Sequence, residues 1–471
     1  MFPLFEKQVS KDFLLTMNEY RYIIRTDVRF HHTKYRTKCQ GVMGRMRTIL
    51  HSDLNAFYAS VEMLHHPELR NVPMAVGGDP EARHGIVLTA NYIAKRKGVK
   101  TGMALWQARE VCPEIRFVPP HMDMYLRFSR LVMEIYSEYS DKVESFGIDE
   151  SWVEVTDSCS LKGDGPSIAN EISSRVKSEL GLTVSIGVSW NKIYAKLGSD
   201  YKKPDAITVI SQDNYRNIVY PLPVGDLLYV GSSTKRKLKN YGINTIGELA
   251  GADPLFLEKV LGKMGLVLSV FANGQDQTPV NHEDESAAIK SIGNSTTTPR
   301  DLVNDEDVKI IIYLLEESVA ARLRENNFKC KTVEISVRDN ELSSFTRQMK
   351  LRMATDITEE IAEAAMCLFI NSYSWQRGIR SVGVRACSLV NASCLDQLDL
   401  FVSQEKRERL HKANEAVDYL RGRFGFQSVQ RGIMYQDRVL AALDAKAENT
   451  VHPYSYFESG NRTGVEAMKW G

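Results

Sequence analysis

The residues of this chain with the clearest capacity for chemistry are acidic. Asp53 ends a predicted strand, and Asp149 and Glu150 stand together in a tight turn between two further predicted strands. Carboxylate oxygens are ligands that Mg²⁺ prefers, commonly together with substrate phosphates and water. A pair of such ions would stabilise the attacking and leaving oxygens of an in-line phosphoryl transfer. Taken singly, however, Asp53 could cap the following helix, and the Asp-Glu pair could simply mark a turn.

The predicted elements around these carboxylates indicate how they could meet. Strands are predicted over residues 47–53 and 182–188, two more lie within 143–156, and helices are predicted over 124–140 and 166–180. The order strand–helix–strand–strand–helix–strand is the split βαβ pattern of ferredoxin-like folds. Because the first and third strands of such a sheet are neighbours, we expect the carboxylates to converge at one sheet edge.

The rest of the chain predicts further units. Residues 57–120 form an insertion in the ferredoxin-like pattern, residues 221–278 are helical and turn-rich, and a polar stretch over 274–285 is typical of a linker. Residues 290–390 predict a second small α+β domain, with strands over 333–337 and 382–385 and helices over 306–324 and 358–370. A charged amphipathic helix is predicted over 405–421, and roughly the last thirty residues lack ordered patterning.

Bulk composition argues against a membrane-spanning or disulfide-rich protein and leaves a nucleic-acid partner open. At 471 residues the chain suggests several domains. The 60 lysines and arginines nearly cancel the 59 aspartates and glutamates, so net charge does not reveal a nucleic-acid partner. The seven cysteines include no CxxC pair, and His31, His32 and Cys39 match no zinc template, which favours a reducing cytoplasm. No apolar run reaches the roughly 18 residues needed to span a bilayer.

Longer stretches around the acidic residues resemble the Y family of DNA polymerases. The matching segments, in the order and at the spacing of that family, are residues 51–62 (HSDLNAFYASVE), 89–95 (TANYIAK), 147–157 (GIDESWVEVTD) and 185–204 (SIGVSWNKIYAKLGSDYKKP). The resemblance covers residues 46 to about 400. It implies template-directed, low-fidelity DNA synthesis across damaged templates, in which the primer 3′-hydroxyl attacks a deoxynucleoside triphosphate and pyrophosphate leaves.

The resemblance also implies a fold and its divisions. The fold class is a multidomain α+β right hand with a ferredoxin-like palm, small fingers, a helical thumb and an α+β little finger. The implied divisions are an N-terminal extension outside the core (1–45), palm (46–56 and 121–210), fingers (57–120), thumb (211–278), linker (279–289), little finger (290–396), clamp-binding peptide (397–401), and C-terminal helix and tail (402–471).

The same resemblance assigns roles in catalysis. Asp53, Asp149 and Glu150, assisted by the backbone carbonyl of Leu54, would hold two Mg²⁺ ions, with Mn²⁺ able to substitute. Tyr58 matches the steric gate that rejects ribonucleotides, whose 2′-hydroxyl would clash with the ring. A core position is the alternative for Tyr58.

Further matches concern the incoming nucleotide. Phe57 would pack against its base or in the core. The triphosphate contacts of the family fall on Thr89, Tyr92, Lys95 and Lys203. Lys95 replaces a frequent arginine and cannot offer the same bidentate fork.

The implied DNA contacts lie in the later domains. Residues 229–249 resemble a helix-hairpin-helix in which the amide of Gly231 faces phosphate, although Tyr229 stands where a first glycine is usual. Arg347 and Arg380 lie in stretches that resemble little-finger strands gripping the duplex backbone. The alternatives are a plain helical hairpin and a solvated charge pattern.

A short peptide implies a protein partner. The side chains of Gln397, Leu398, Leu400 and Phe401 match the peptide that binds the bacterial sliding clamp. The expected partners are therefore primer-template DNA, deoxynucleoside triphosphates and the clamp, with no membrane, for a monomer in the cytoplasm at the nucleoid. Two rivals stay open: a nucleotidyl cyclase, whose palm can use the same fold and metals, and a DNA- and clamp-binding factor without catalytic activity.

Overall fold

The computed structural model describes residues 46–78, 85–282, 289–394 and 403–443. The predicted N-terminal extension and the clamp-binding peptide lie outside these residues. The strands are β1 (Ile49–Leu54), β2 (Met74–Gly77), β3 (Val87–Ala90), β4 (Arg116–Val118), β5 (Val143–Ser145), β6 (Glu150–Glu154), β7 (Val184–Ser189), β8 (Ile207–Val209), β9 (Ser291–Leu302), β10 (Phe328–Asp339), β11 (Ser344–Thr355) and β12 (Ile379–Asn391).

Sixteen α-helices occur in the described residues. They are α1 (Phe57–His65), α2 (Tyr92–Arg96), α3 (Leu105–Val111), α4 (Met122–Ser137), α5 (Cys159–Lys162), α6 (Gly165–Leu180), α7 (Lys192–Tyr201), α8 (Tyr215–Val219), α9 (Ser232–Asn240), α10 (Ile246–Gly251), α11 (Pro254–Leu261), α12 (Lys263–Ala272), α13 (Asp305–Glu325), α14 (Thr358–Ser372), α15 (Gln404–Phe424) and α16 (Arg438–Ala441). Within the described ranges, no helix is long and apolar enough to cross a membrane.

A five-stranded sheet with the order β5-β6-β1-β7-β8 carries the acidic residues. Its first four strands have the ferredoxin-like arrangement predicted from the sequence, and β8 adds a fifth strand that was not predicted. Alternate residues of β1 face opposite layers. Leu50 joins the core formed with α4 and α6, whereas Ile49 packs with α7 and the helices that follow it. Both faces of the sheet are therefore covered, which fixes its edge in place.

The inserted region forms a small separate layer. Its sheet has the order β3-β2-β4, with β2 antiparallel to β3 and parallel to β4. Ala75, Val87 and Leu105 belong to its core. The helices α8 to α12 follow β8 along the chain, and apolar residues of theirs, such as Leu238 and Ile246, share a core with α7.

The second α+β region has a four-stranded antiparallel sheet with the order β11-β10-β12-β9. Helices α13 and α14 cover one face of it, with Ile311 and Ile361 in the shared core. The charged helix predicted over 405–421 is α15, which docks here through ion pairs. Arg407 Nε lies 2.8 Å from Glu360 Oε1, and Arg421 Nη2 lies 2.7 Å from Glu317 Oε2. The C-terminal segment is thus integrated with this domain as far as α16, whose Leu440 joins the core.

Glu316 is a buried carboxyl group inside the same core. It is fully buried, and neither side-chain oxygen has a hydrogen-bonding partner among the residues that the structure describes. Burial raises its pKa well above the usual range of a glutamate. The folded chain therefore keeps this proton over a pH range in which the unfolded chain, with an ordinary pKa of about 4.3, releases it. Stability must then fall as pH rises through that range.

Replacing Glu316 with methionine is expected to stabilise the protein. The substitution removes an unpaired polar group, which predicts a gain of about 1–3 kcal/mol in the free energy of unfolding at pH 8. The gain should shrink towards pH 5, where the unfolded chain releases less of the proton. Urea unfolding at both pH values measures this, with Glu306→Met, an exposed position of the same helix, as the control. An equal gain for both variants would contradict the explanation.

Candidate active site

The acidic residues meet at one end of two neighbouring strands, as predicted. Asp53, near the end of β1, is the antiparallel register partner of Glu150, the first residue of β6. Asp149 precedes β6 in the turn, and its carbonyl accepts a hydrogen bond of 2.9 Å from the amide of Leu54. Strand pairing, rather than proximity along the chain, brings these carboxyl groups together.

The local electrostatics show a concentration of negative charge. Burial raises the pKa of Asp53 to about 7, and the carboxylates of Glu150 and Asp149 add to the increase. Burial and the charge of Glu150 likewise raise the pKa of Asp149 to about 6. Burial also acts to raise the pKa of Glu150, but the nearby His51 ring and the charge of Lys196 outweigh it and lower that pKa. Additional positive charge would therefore stabilise the ionised site.

Lysine side chains supply counter-charge in this structure. Lys203 Nζ lies 2.6 Å from Asp53 Oδ2 and 2.8 Å from Asp200 Oδ1, and Lys196 forms an ion pair with Glu150. In the part of the chain that the structure describes, no group of three or more histidine, cysteine, aspartate or glutamate side chains is arranged so that it could hold a metal ion. The carboxylate groups of Asp53, Asp149 and Glu150 nevertheless fit divalent cations. Their oxygens are hard ligands, and a bound cation would relieve the repulsion between their negative charges.

Helix α7 supplies Lys196 and approaches the sheet very closely. A Cβ atom on Gly187 of β7 would lie 1.8 Å from the carbonyl oxygen of Ala195, and one on Gly198 would lie 2.9 Å from the Cα of Gly187. Only glycine fits at this crossing. The close approach also places Ser199 Oγ 2.8 Å from Nδ1 of the buried His51.

His51 and Lys196 were not assigned roles from the sequence. His51 Nε2 lies 3.4 Å from Glu150 Oε2, and burial lowers the pKa of His51 to about 4. Both residues stand inside the motifs quoted above, but only the fold shows that they face Glu150. They are positioned to orient that carboxylate.

Tyr58 lies next to the acidic site. Ala56 adopts a left-handed conformation (φ 45°), so the chain turns sharply between β1 and α1, and α1 begins at Phe57. Tyr58 is half-buried, and its pKa is raised by burial and by the charge of Asp149. Its ring stacks on Tyr125 at a centroid distance of 4.3 Å and an interplanar angle of 7°. Phe57 is buried in the core, which is one of the two positions considered for it.

Three of the residues predicted to contact the triphosphate, Tyr92, Lys95 and Lys203, interact electrostatically with Asp53. Lys95 Nζ lies 4.9 Å from the centroid of the Tyr92 ring. The charges of Lys203 and Asp53 act on both Tyr92 and Lys95, which places the four side chains near one another; burial is the main cause of the lowered pKa of Lys95. Thr89 lies on β3, paired with Val76 of β2. The structure thus places Lys203 in contact with Asp53 and places Lys95 where it feels the charges of both residues.

The helical region has the predicted hairpin. Gly231 precedes α9, and a Cβ atom placed on it would meet nothing within 4 Å, so its backbone is open to a ligand. Tyr229 has a φ of 68°. This left-handed conformation explains why glycine is usual at that position, and for tyrosine it costs about 1 kcal/mol or more.

The sheet of the second α+β region has one face that its helices do not cover. Directly opposed residues of an antiparallel pair lie on the same face. Arg347 is paired with the buried Ile335 and so lies on the helix-covered side of the edge strand β11, although it is exposed there.

The open face of that sheet carries other basic residues. Lys350 is paired with Thr332, and Arg385 is paired with Glu334 on the same open face. Arg338 pairs with Ser344 and Ser381 on that face as well. Arg380 is partly buried beside a register shift of β12. The predicted clamp-binding residues Gln397, Leu398, Leu400 and Phe401 lie outside the described residues.

Comparisons with known proteins agree with this geometry. The model of the impB/mucB/samB family matches residues 52–200, and the model of that family's C-terminal domain matches residues 289–400. The DNA polymerase IV of Acetivibrio thermocellus is 52% identical over 394 residues, which cover 84% of this chain and 99% of that protein. DNA polymerase IV 1 of Bacillus subtilis is 36% identical over 421 residues, which cover 89% of this chain and 100% of that protein.

A solved structure supports the fold. A chimera of Y-family DNA polymerases superimposes with a TM-score of 0.64 at 24% identity, covering 73% of this chain and 99% of that chain. The predicted right-hand α+β architecture is therefore confirmed. Together with the relatives named above, these matches show that the chain belongs to the Y family of DNA polymerases, in the DNA polymerase IV group.

Proposed function

We propose that this chain carries out template-directed, low-fidelity DNA synthesis across damaged template bases. The primer 3′-hydroxyl would attack the α-phosphorus of a deoxynucleoside triphosphate, with release of pyrophosphate. The observation that carries the proposal is the register pairing of Asp53 with Glu150, with Asp149 in the adjoining turn. Membership of the Y family supports the reaction. Primer extension by variants of the acidic residues tests it, as set out in the Discussion.

Y-family polymerases depend on metal ions, and we propose two Mg²⁺ ions here, with Mn²⁺ able to replace them. When bound, such ions stabilise the attacking and leaving oxygens of the displacement. Asp53, Asp149 and Glu150 would hold them, together with the carbonyl oxygen of Leu54. His51 and Lys196 would orient the Glu150 carboxylate, which they already contact.

Lys203 would serve two states of the site in turn. Before nucleotide binds, its ammonium group neutralises Asp53. Once cations are held by the carboxylates, the ammonium group would be free to contact the triphosphate, together with Lys95, Tyr92 and Thr89. The pKa of Lys95 is lowered mainly by burial and also by Lys203. A bound anion such as the triphosphate would stabilise the charged form of Lys95.

Replacing Lys203 with glutamine separates these two roles. The KM for deoxynucleotide should rise about tenfold, because one charge-assisted contact of roughly 1.5 kcal/mol is lost. Binding of Mn²⁺ alone, followed by the electron paramagnetic resonance of the free ion, should instead become tighter. Lys177→Gln, which breaks an exposed ion pair with Asp205, is the matched control. Weaker Mn²⁺ binding by Lys203→Gln would refute the proposal that Lys203 leaves Asp53 when cations bind.

We propose that DNA is held by the hairpin and by the second sheet. Backbone amides at Gly231 would contact phosphate at the start of α9, whose lysine-rich sequence supports a role on DNA. On the sheet, Arg338, Lys350 and Arg385 on the open face are the strongest candidates for the duplex backbone. Arg347 and Arg380 remain further candidates at the edge and beside the register shift.

We also propose that residues 397–401 bind the sliding clamp and that the polymerase acts as a monomer. Replacing both Leu400 and Phe401 with alanine should abolish stimulation by the clamp, since both apolar anchors of the peptide are removed. Synthesis without the clamp should be unchanged, because neither residue is among those proposed to hold the metal ions, the nucleotide or DNA. Extension of a circular primed template, with and without clamp, measures both effects. Full stimulation of the double variant would rule the peptide out.

A further inference from the structure

A buried carboxyl group lies directly behind the predicted sugar gate. Glu62 follows Tyr58 by one turn of α1 and is 0% exposed. Tyr125 of α4 contacts both residues: its ring stacks on Tyr58, and its hydroxyl group donates a hydrogen bond to Glu62 Oε1. His121 Nδ1 lies 2.9 Å from the same oxygen. Glu62 Oε2 has no hydrogen-bonding partner within the described ranges.

This arrangement is not what a core alone would require. A buried carboxyl group with one unsatisfied oxygen destabilises a fold, and an apolar side chain of similar volume usually packs as well or better. The polar contacts that the side chain of Glu62 makes in the described structure go to Tyr125 and His121. These contacts therefore indicate that Glu62 holds Tyr125 by a hydrogen bond and does not merely pack in the core.

The position of Tyr125 matters because steric exclusion of a 2′-hydroxyl requires that the Tyr58 ring cannot move. Tyr58 can reject a 2′-hydroxyl only while its ring cannot retreat, and the surface behind that ring is Tyr125. Packing alone allows a buried aromatic ring to slide, whereas a hydrogen bond at its far end fixes it. A displacement of about 1 Å is enough to weaken a geometrically demanding site.

We propose that Glu62 is a positioning residue for sugar discrimination, acting through Tyr125 to fix the wall behind Tyr58. The proposal rests on the proposed polymerase function and on the gate role of Tyr58. It adds a determinant that touches neither nucleotide nor metal ligand. His121, which contacts the same Glu62 oxygen, stabilises the arrangement from the start of α4.

The experiment compares kcat/KM for deoxyribonucleotide and ribonucleotide incorporation in the full chain. Glu62→Met and Tyr125→Phe each remove the hydrogen bond, and each should reduce discrimination about tenfold. Deoxyribonucleotide incorporation should stay within about twofold of the wild-type value, because no substrate contact is lost. Glu62→Gln keeps an acceptor oxygen and should preserve discrimination. Tyr194→Phe removes another buried tyrosine hydroxyl, bonded to the Ala272 carbonyl, and should also change nothing.

A double variant identifies the route of the effect. Because Glu62 acts through Tyr58, Glu62→Met should cause no further loss of discrimination in a Tyr58→Ala background. Additive losses, or unchanged discrimination in both Glu62→Met and Tyr125→Phe, would overturn the proposal. Failure of the polymerase function itself would be seen separately, as an absence of incorporation by the wild-type protein.

Discussion

Primer extension by the Asp149→Asn protein is expected to fall by roughly three orders of magnitude. The substitution removes one negative charge from the group that would neutralise the metal ions, and metal-assisted charge stabilisation contributes several kcal/mol to such a transition state. Asp149 adjoins Glu150 in the turn, and its backbone carbonyl accepts a hydrogen bond from the amide of Leu54, the residue after Asp53. The loss should appear in kcat, since the surfaces that we propose for DNA binding involve other residues. Extension of a labelled primer on an undamaged template and on one with a defined adduct measures it.

The matched control is Asp157→Asn, an equally conservative change at an exposed residue that pairs with Lys142 at 3.6 Å. It should leave extension unchanged. Glu150→Gln should behave like Asp149→Asn. Near-normal extension by either site variant would remove the catalytic assignment. The same assay distinguishes the rivals, since a nucleotidyl cyclase would release a cyclic product and a DNA-binding factor would extend no primer at all.

Tyr58→Ala is expected to lower discrimination against ribonucleotides about 100-fold, which corresponds to roughly 2.8 kcal/mol. Removing the ring removes the steric clash with the 2′-hydroxyl and leaves the acidic residues in place. Discrimination is measured as the ratio of kcat/KM for the two sugars. Tyr58→Phe keeps the ring and should retain most of the discrimination, so it separates the steric effect from any effect of the hydroxyl group.

An exposed tyrosine provides the second control for the gate. Tyr241→Ala alters a side chain that is 57% exposed in the helical region, and it should leave the sugar ratio unchanged. If Tyr58→Ala also left the ratio unchanged, Tyr58 would have to be assigned to the core, as the alternative drawn from the sequence holds. The stacking partner Tyr125 would then have only a packing role.

Much of the catalytic region was predictable because its signals are local or periodic. The strand predicted over residues 47–53 and the order of elements up to residue 188 predicted neighbouring strands. Strand neighbours in turn predicted the meeting of Asp53 with Glu150, which the register confirms. Helices with strong apolar patterns, such as α6 and α13, were predicted to within about two residues of their observed ends.

Other features were not predictable because they depend on partners that are distant in sequence. The charges of α15 are typical of a solvated helix, yet Arg407 and Arg421 pair with carboxylates of α14 and α13. Likewise, Arg347 is typical of a basic strand on DNA, and only the pairing with Ile335 reveals on which side of the sheet it lies. A shift of one residue in register would have reversed that result.

The sequence by itself determined the family, the reaction and the acidic residues at the end of neighbouring strands, because residue identity and spacing carry that information. The tertiary structure alone decided which charges neutralise one another: Lys203 reaches Asp53 from 150 residues away, and Lys196 reaches Glu150. It also decided that Tyr125 connects Tyr58 to Glu62. Such contacts depend on how helices cross and side chains pack in three dimensions, which no local pattern specifies.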